Sequence, residues 1–307
     1  MKTYLSIAML AFATFGCKSE PEIITIKLKK GQVYTQDMLL RSASEQTVKG
    51  VKSNTTTLSQ SGSRFEVVDV KDTVYTLKGT FGAISTKMIK DGDTIDNSKG
   101  AAGNPASELL SKINGKSYTM VMSNTGRIIE TKGLDVLFDD LLKDMPVAAE
   151  AVKVMMRNSL ASAYGDSAIR RSAELSSALY PAKAVKEGDS WAAENSGGNN
   201  IMTPKVKGVY TLDKVSGSEY LISNKSTIEV KNSATPVEMN NFSMKYAVSG
   251  TMTSNSKVDR KTGMIMEMKA QQNISGVVML KTSSLPDEMV MPIKATNEIT
   301  MTTTFVK

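Results

Sequence analysis

The sequence predicts a mostly β fold of the α+β type. Its core is a duplicated antiparallel sheet, curved or shaped as a half-barrel, with a central helical insert packed on one face. Long stretches alternate apolar and polar residues with a period of two, as half-buried strands do. One internal stretch instead repeats apolar residues at helical spacing. Short motifs also recur in the same order on both sides of that stretch, which indicates duplication.

These patterns divide the chain into five segments. In chain order they are a lipoprotein signal peptide (1–16), a lipidated tether (17–22), an N-terminal β-unit (23–132), a helical insert (133–182) and a C-terminal β-unit (183–307).

The strand predictions rest on alternation. The clearest strand runs from Phe242 to about Met252, with apolar residues on one face and Ser, Thr and Lys on the other. The C-terminal strand, from Met289 to Phe305, repeats this arrangement with a Thr-rich polar face. Strands that are apolar on one face only are typical of an antiparallel sheet with one face toward solvent.

The helical insert is predicted from apolar residues at spacings of three and four from Leu134 to Met145. Pro146 suits the first turn of a second helix, and Asp166 suits the N-cap of a third helix that extends through Leu179. A shorter helix is predicted to start at Pro105, ahead of the insert.

Three pairs of motifs carry the predicted duplication. The pairs are 30–34 with 187–191, 65–77 with 210–222, and 124–130 with 261–267.

The composition excludes several function classes. The chain has no His and one Cys, so a Ser-His-Asp triad, a His- or Cys-ligated zinc or haem site and an intramolecular disulfide are excluded. The net charge of +7 is dispersed and not interleaved with aromatic residues, which argues against nucleic acid as a partner. We expect no cofactor, no metal site and no catalytic residues, hence no enzyme.

The N-terminus predicts a lipid anchor. A basic start, an apolar run over 4–15 and Gly16-Cys17 form a secretory signal that ends like a bacterial lipoprotein junction. The run is shorter than the ~20 residues that span a bilayer. Acylation of Cys17 would hold the mature chain on a membrane; the alternative is an ordinary signal with a coincidental Cys. Residues 18–22 resemble a surface-export tag of Bacteroidetes lipoproteins, or form a solvated tether.

One strand-start motif is Lys186-Glu187-Gly188-Asp189-Ser190-Trp191, and it follows both a lipoprotein signal and a helical stretch. This motif resembles a family of uncharacterised Bacteroidetes lipoproteins. In topology the predicted fold is also similar to the LolA/LolB and LppX type of envelope lipid carrier, in which helices close a curved sheet around acyl chains. These resemblances imply a protein of the cell envelope, lipid-anchored to the outer membrane on its periplasmic face or at the cell surface.

Methionines are frequent and fall on apolar strand faces. Their flexible side chains suit a groove for lipid or another hydrophobic ligand, although ordinary core packing explains the same pattern. The candidate ligand-binding residues are Met244, Met252, Met266, Met268, Met291 and Met301.

Two further motifs resemble known sites, one for calcium binding and one for glycosylation. Residues 91–96 resemble a calcium loop, but Ile95 occupies a ligand position, so a hairpin turn is favoured. Thr73, Thr94 and Ser167 each follow an Asp and precede a small or aliphatic residue, which resembles an O-glycosylation sequon of Bacteroidetes envelope proteins.

The sequence leaves three functions open. The first is a non-catalytic envelope lipoprotein that binds or carries a hydrophobic ligand such as lipid. The second is a structural lipoprotein of the outer membrane with a solid core, which contacts another envelope protein and holds no small molecule. The third, a hydrolase that uses carboxylates alone, has no support from residue spacing.

Overall fold

The computed structural model describes residues 20–48, 50–96, 105–143, 150–196, 204–231, 236–239, 242–282 and 288–306. The predicted signal peptide and Cys17 lie outside the described residues.

The described residues form one antiparallel sheet of thirteen strands. The strands are β1 (Val33–Val48), β2 (Val51–Lys71), β3 (Val74–Lys90), β4 (Asp93–Asp96), β5 (Ser117–Ser123), β6 (Ile128–Lys132), β7 (Ser190–Ser196), β8 (Pro204–Val215), β9 (Glu219–Lys231), β10 (Val237–Met239), β11 (Phe242–Asp259), β12 (Ile265–Thr282) and β13 (Met289–Val306). The mostly β prediction is therefore confirmed.

The strand order shows two meanders in tandem. It is β6-β5-β3-β2-β1-β13-β12-β11-β9-β8-β7, with β4 paired to β3 and β10 paired to β11. The run β1-β2-β3-β5-β6 is matched by β7-β8-β9-β11-β12, and β13 joins the two runs. Because β6 and β7 end the order without pairing to each other, the sheet is not closed.

The repeated sequence motifs fall at matching places in the two meanders. The β2–β3 hairpin turns at 72–73 and the β8–β9 hairpin at 216–218, which are the equivalent connections. The β5–β6 turn at 124–127 and the β11–β12 turn at 260–264 are likewise equivalent. These turns share one end of the sheet, which we call the proximal end; the other ends of the long strands form the distal end.

The described residues also form four helices. They are α1 (Pro105–Ile113), α2 (Leu134–Lys143), α3 (Glu150–Tyr164) and α4 (Asp166–Ser177). Pro146, the predicted start of the second helix, lies outside the described residues.

The predicted N-cap of the third helix is wrong. Gly165 occupies the N-cap of α4 with extended backbone angles, and Asp166 is already the first helical residue. The Asp166 carboxylate instead accepts hydrogen bonds from Thr131 on β6 and from Arg170 one turn further along α4. The Asp166 side chain, which the sequence predicted to cap the helix, is therefore used in a contact between α4 and β6. The helix also ends at Ser177 rather than at Leu179.

Helix α4 connects the two free edges of the sheet. Arg170 Nη1 donates to the carbonyls of Ile128 and Ile129 on β6 at 2.8 and 2.9 Å. From β7, Asn195 Nδ2 donates to the carbonyl of Glu174 at 3.0 Å, and Trp191 Nε1 donates to that of Ala178 at 3.2 Å. The helix therefore satisfies polar groups of edge strands that would otherwise be open to pairing with another chain.

Candidate functional site

One face of the sheet carries the buried residues, and we call it the core face. Directly opposed residues of antiparallel strands share a face, so the register defines it. One such row contains Ile222, Ser256, Met268, Met301 and Met38. The opposite, polar face carries the charged residues of the same strands.

The proximal part of the core face is a solid core. Tyr34 stacks on Phe65 with ring centroids 5.1 Å apart, and Phe81 lies 4.9 Å from Tyr118. Residues of the helices, of which Phe138 is fully buried, pack over these rings. Burial raises the pKa of the Tyr118 hydroxyl to about 12, as expected for a phenol without access to water. The helical insert therefore packs on one face of the sheet, as predicted.

Five buried polar residues of the core face, which we call the polar belt, begin beside Met301 in the proximal core and continue toward the distal end. Its members are small or amide side chains, each less than one-tenth exposed: Asn224, Ser226, Ser254, Ser256 and Thr303. Ser226 Oγ donates to Asn224 Oδ1 at 2.8 Å. Within the described part of the chain, Asn224 Nδ2 and Thr303 Oγ1 are the buried side-chain polar atoms without a hydrogen-bond partner. An unpaired buried donor is energetically costly, so this belt is a candidate polar contact for a ligand.

Beyond the polar belt lies a second, smaller apolar cluster, which we call the distal cluster. Ile228 and Val230 of β9 and Tyr246 and Val248 of β11 are buried in it. The described residues that pack around it belong to strands and to no helix. Among the described residues, the distal cluster is therefore covered by side chains of the strands.

All six predicted methionines lie on described strands, in two groups. Met301 is buried in the proximal core, and Met266 and Met268 pack against that core. Met244 and Met252 pack against the distal cluster, and Met291 is opposite Val278, which packs there too. The structure thus splits the set between two ends of one face, and ligand binding by these residues stays a prediction.

A cleft of about 850 Å³ crosses six strands at one level of the distal half. It is lined by Ala43, Ser44, Glu45, Asn54, Thr55, Thr56, Thr227, Ile228, Glu229, Ser249, Gly250, Thr251, Asn273, Ile274, Ser275, Lys294, Ala295 and Thr296. Most of these are polar-face residues, and none is a methionine. The cleft is thus distinct from the predicted methionine-lined groove.

The predicted tether is fixed to the body at its last residue. Glu22 pairs with Val185 as an antiparallel bridge, and its carboxylate accepts hydrogen bonds from Tyr220 at 2.6 Å and from Arg260 at 2.5 and 3.1 Å. The Tyr220 and Arg260 hydrogen bonds hold the pKa of Glu22 below its usual value. Burial, together with the Glu22 carboxylate, raises the pKa of Tyr220 to about 12. We call this group the clasp; the sequence pattern gave no signal for it, because its members lie far apart in the chain.

The motif around Trp191 is structural. Trp191 stacks on Tyr210 with ring centroids 5.9 Å apart, while Glu187 accepts a hydrogen bond from the backbone of Val215. Stacking of the Trp191 ring and the Glu187 hydrogen bond account for the motif.

The three predicted glycosylation residues are exposed. Thr73 lies in the β2–β3 turn, Thr94 on the short strand β4, and Ser167 in the first turn of α4. Modification of these hydroxyls stays a prediction.

The predicted hairpin tip at Asp91 holds its turn through side-chain contacts. The Asp91 carboxylate accepts hydrogen bonds from the Asn54 amide and the Ser53 hydroxyl, and these lower the pKa of Asp91. Among the described residues, no group of three or more acidic or Cys side chains could hold a metal ion.

The outer surface of the helical insert exposes apolar side chains. They are Val136 on α2, Val154 and Met155 on α3, and Leu175 on α4. No helix in the described segments is long and apolar enough to cross a membrane.

A model of a family of unknown function, DUF6263, matches residues 72–265, from the β2–β3 turn to the start of β12. The chain belongs to the DUF6263 family. No curated protein matches this DUF6263 chain.

Among solved structures, the DUF6263 protein is similar to lipovitellin, described for its lipid–protein interactions, with a TM-score of 0.42 and 10% identity over 89% of this chain. It spans about a quarter, 25%, of the lipovitellin chain. OpdQ of Pseudomonas aeruginosa is similar with a TM-score of 0.23 and 6% identity, over 90% of this chain and 99% of that one. OmpF of Salmonella typhi, in complex with daunomycin, gives a TM-score of 0.23 and 6% identity over the same shares, 90% and 99%. Likeness of this degree carries no information on ligand or activity.

Proposed function

We propose that this DUF6263 protein is a non-catalytic lipoprotein of the cell envelope that binds or carries a hydrophobic ligand such as lipid. The observation that supports it most is the state of the core face beyond the helices. There the sheet continues for several rows with an apolar cluster that no described helix covers. The cluster is buried by side chains of the strands, among them Met244 and Met252, whose flexible side chains can move aside for a ligand.

The half-exposed side chains of this face support the same function. Met38 is 39% exposed although it lies opposite Met301, which is 7% exposed. An apolar ligand laid along β1 and β13 would cover such residues and gain about 25 cal/mol for each Å² of apolar surface removed from water.

The clasp supports attachment close to a membrane. If Cys17 carries acyl chains, only residues 18–21 separate it from Glu22, which is already fixed to the body. The Cα atoms of Cys17 and Glu22 can therefore lie roughly 17 Å apart at most. The proximal end would then lie near the bilayer, and the distal ends of strands as long as the 21 residues of β2 would point away from it.

Lipid extraction tests the ligand. The Cys17→Ser variant lacks the acylation site, so any lipid recovered from the purified protein is bound ligand rather than anchor. We expect organic extraction and mass spectrometry to recover lipid at a fixed ratio to protein. Protein that is free of lipid, and that takes none up from vesicles, would contradict the proposal.

Metabolic labelling tests the anchor. We expect labelled palmitate to enter the wild-type chain and not the Cys17→Ser variant, with the wild type in the membrane fraction. A free N-terminus downstream of Cys17 would contradict the anchor while leaving ligand binding open.

A structural role in the outer membrane is the second candidate, and the exposed apolar residues on α2, α3 and α4 favour it. In that case a photo-crosslinker at Met155 would link the chain to one envelope protein, and lipid extraction would recover nothing. A crosslinker at the exposed Thr253, on the polar face of β11 and away from the helices, is the control.

A further inference from the structure

The core face is free of charge over a large area. On β1, β2, β9, β11, β12 and β13, the described core-face positions carry no Asp, Glu, Lys or Arg. The polar face of the same strands carries many, among them Arg41, Glu298, Lys257 and Glu267. The described core-face charge nearest to these strands is Lys90 on β3, opposite Thr55 and distant in strand order from β9 and β11. A charged ligand group buried between β9 and β11 would find no opposite charge on those strands, and an unpaired buried charge is strongly unfavourable.

The same face is polar without being charged. Along β2, six consecutive core-face positions carry hydroxyl side chains: Ser53, Thr55, Thr57, Ser59, Ser61 and Ser63. On β12 and β13, Gln272 and Asn297 add further uncharged groups, with Asn297 Nδ2 donating to Gln272 Oε1 at 3.1 Å. These side chains have the donors and acceptors to pair with hydroxyl, ester and amide groups, whereas the distal cluster beside them offers apolar side chains.

Asn224 is the most distinctive member of the polar belt. It is 3% exposed, its oxygen accepts from Ser226, and its Nδ2 donor has no partner. Rotating the carboxamide by half a turn would pair Nδ2 with Ser226 and leave Oδ1 unpaired, so either orientation leaves one end of the amide free. Met252, opposite Ser226, is the neighbouring side chain that can move aside, since it is unbranched and flexible.

We propose that the ligand is an uncharged amphiphile, such as a neutral acylglycerol, whose ester or hydroxyl oxygen accepts a hydrogen bond from Asn224 Nδ2 while its apolar chain lies on the distal cluster. From Asn224 to Val230, the strand rise gives a path of about 20 Å, which accommodates a long acyl chain. This inference rests on the proposed function and narrows it to one ligand class.

A matched pair of probes tests the class. Pyrenedecanoic acid and its monoglyceride share one apolar chain and differ in charge at alkaline pH. Fluorescence titration of the purified Cys17→Ser protein should give a dissociation constant about tenfold lower for the monoglyceride than for the acid. Equal affinities, or tighter binding of the acid, would overturn the inference.

Variants of Asn224 test the contact. Asn224→Leu removes the unpaired donor together with the acceptor of the Ser226 hydroxyl, two opposing effects, so we expect the melting temperature to change little. We expect monoglyceride binding to weaken about tenfold while binding of the acid stays the same. Asn224→Ser is the second variant, should the larger apolar side chain disturb the fold, and the same loss is expected. Thr227→Leu, an exposed polar-face residue of the same strand, is the control and should bind as the parent does.

The outcomes separate the two proposals. If lipid is extracted but is anionic, or if the Asn224 variants bind the monoglyceride as the parent does, the inference fails and the proposed function stands. If neither probe binds and no lipid is extracted, both fail.

Discussion

The two ends of the core face differ, although their sequences alternate in the same way. At the proximal end, aromatic rings from neighbouring strands stack and the helices cover them. At the distal end, four buried residues form a cluster that no helix of the described segments covers, and the polar belt extends between the two regions. The difference teaches that alternation fixes which face a side chain occupies. The tertiary structure decides whether helices or neighbouring strand side chains then bury it.

The largest loss of stability is expected in the proximal core, where the helices cover the sheet. Phe138 on α2 is fully buried, so Phe138→Ala should lower the free energy of unfolding by about 3–5 kcal/mol. Val136→Ala on the same helix, at a residue 65% exposed, is the control and should change little. Urea denaturation measures both. Equal small effects would show that the helices contribute little to the proximal core.

Two valines on β11 compare the ends directly. Val258 is 0% exposed at the proximal end, and Val248 is 5% exposed in the distal cluster. We expect Val258→Ala to cost about 2.5 kcal/mol and Val248→Ala about 1.5 kcal/mol, since a cavity in the covered core collapses less readily. Hydrogen exchange should show faster opening of the distal strand ends alone in the second variant. A larger loss of stability for Val248→Ala than for Val258→Ala would contradict the difference between the two ends.

The bend of the distal sheet gives a third test. A Cβ added at Gly250 would press against the backbone of Asn273 on the neighbouring strand, which cannot yield as a side chain can. Gly250→Ala should therefore destabilise the protein by about 2 kcal/mol. Gly217→Ala, in the β8–β9 turn with open space around it, is the matched control in thermal unfolding. An unchanged melting temperature for Gly250→Ala would mean that the curvature is not set there.

The smallest effect concerns the clasp at the proximal end. Glu22→Gln removes a carboxylate whose pKa is lowered in the folded state, and we expect a loss on the order of 1 kcal/mol at neutral pH, since partial exposure screens the pair. The stabilisation is present above the unfolded pKa of about 4.5 and is lost as the pH falls through the lower folded value. The difference between the wild type and Glu22→Gln should therefore shrink in acid.

The control for the clasp is Glu20→Gln, at an exposed residue of the same segment. Denaturation at several pH values measures both variants. A pH-independent difference for Glu22→Gln would assign the loss to packing instead of charge.

Local sequence determined much of this fold. Alternation placed Met301 and Tyr246 on the core face, and the residues at 91–96 located a hairpin turn, because strand periodicity and turn chemistry act over a few residues. The helical period likewise located α2, and the absence of His ruled out imidazole chemistry.

Only the tertiary structure decided the rest. The clasp joins Glu22 to Tyr220 and Arg260 across most of the chain, and α4 binds the two edge strands. Asn224 is buried with an unpaired donor between Tyr210 of β8 and Ser254 of β11, which only the pairing of these strands decides. These features depend on contacts between residues far apart in sequence. The secondary-structure propensity of a short segment does not determine which distant groups it contacts or which part of the sheet a helix covers.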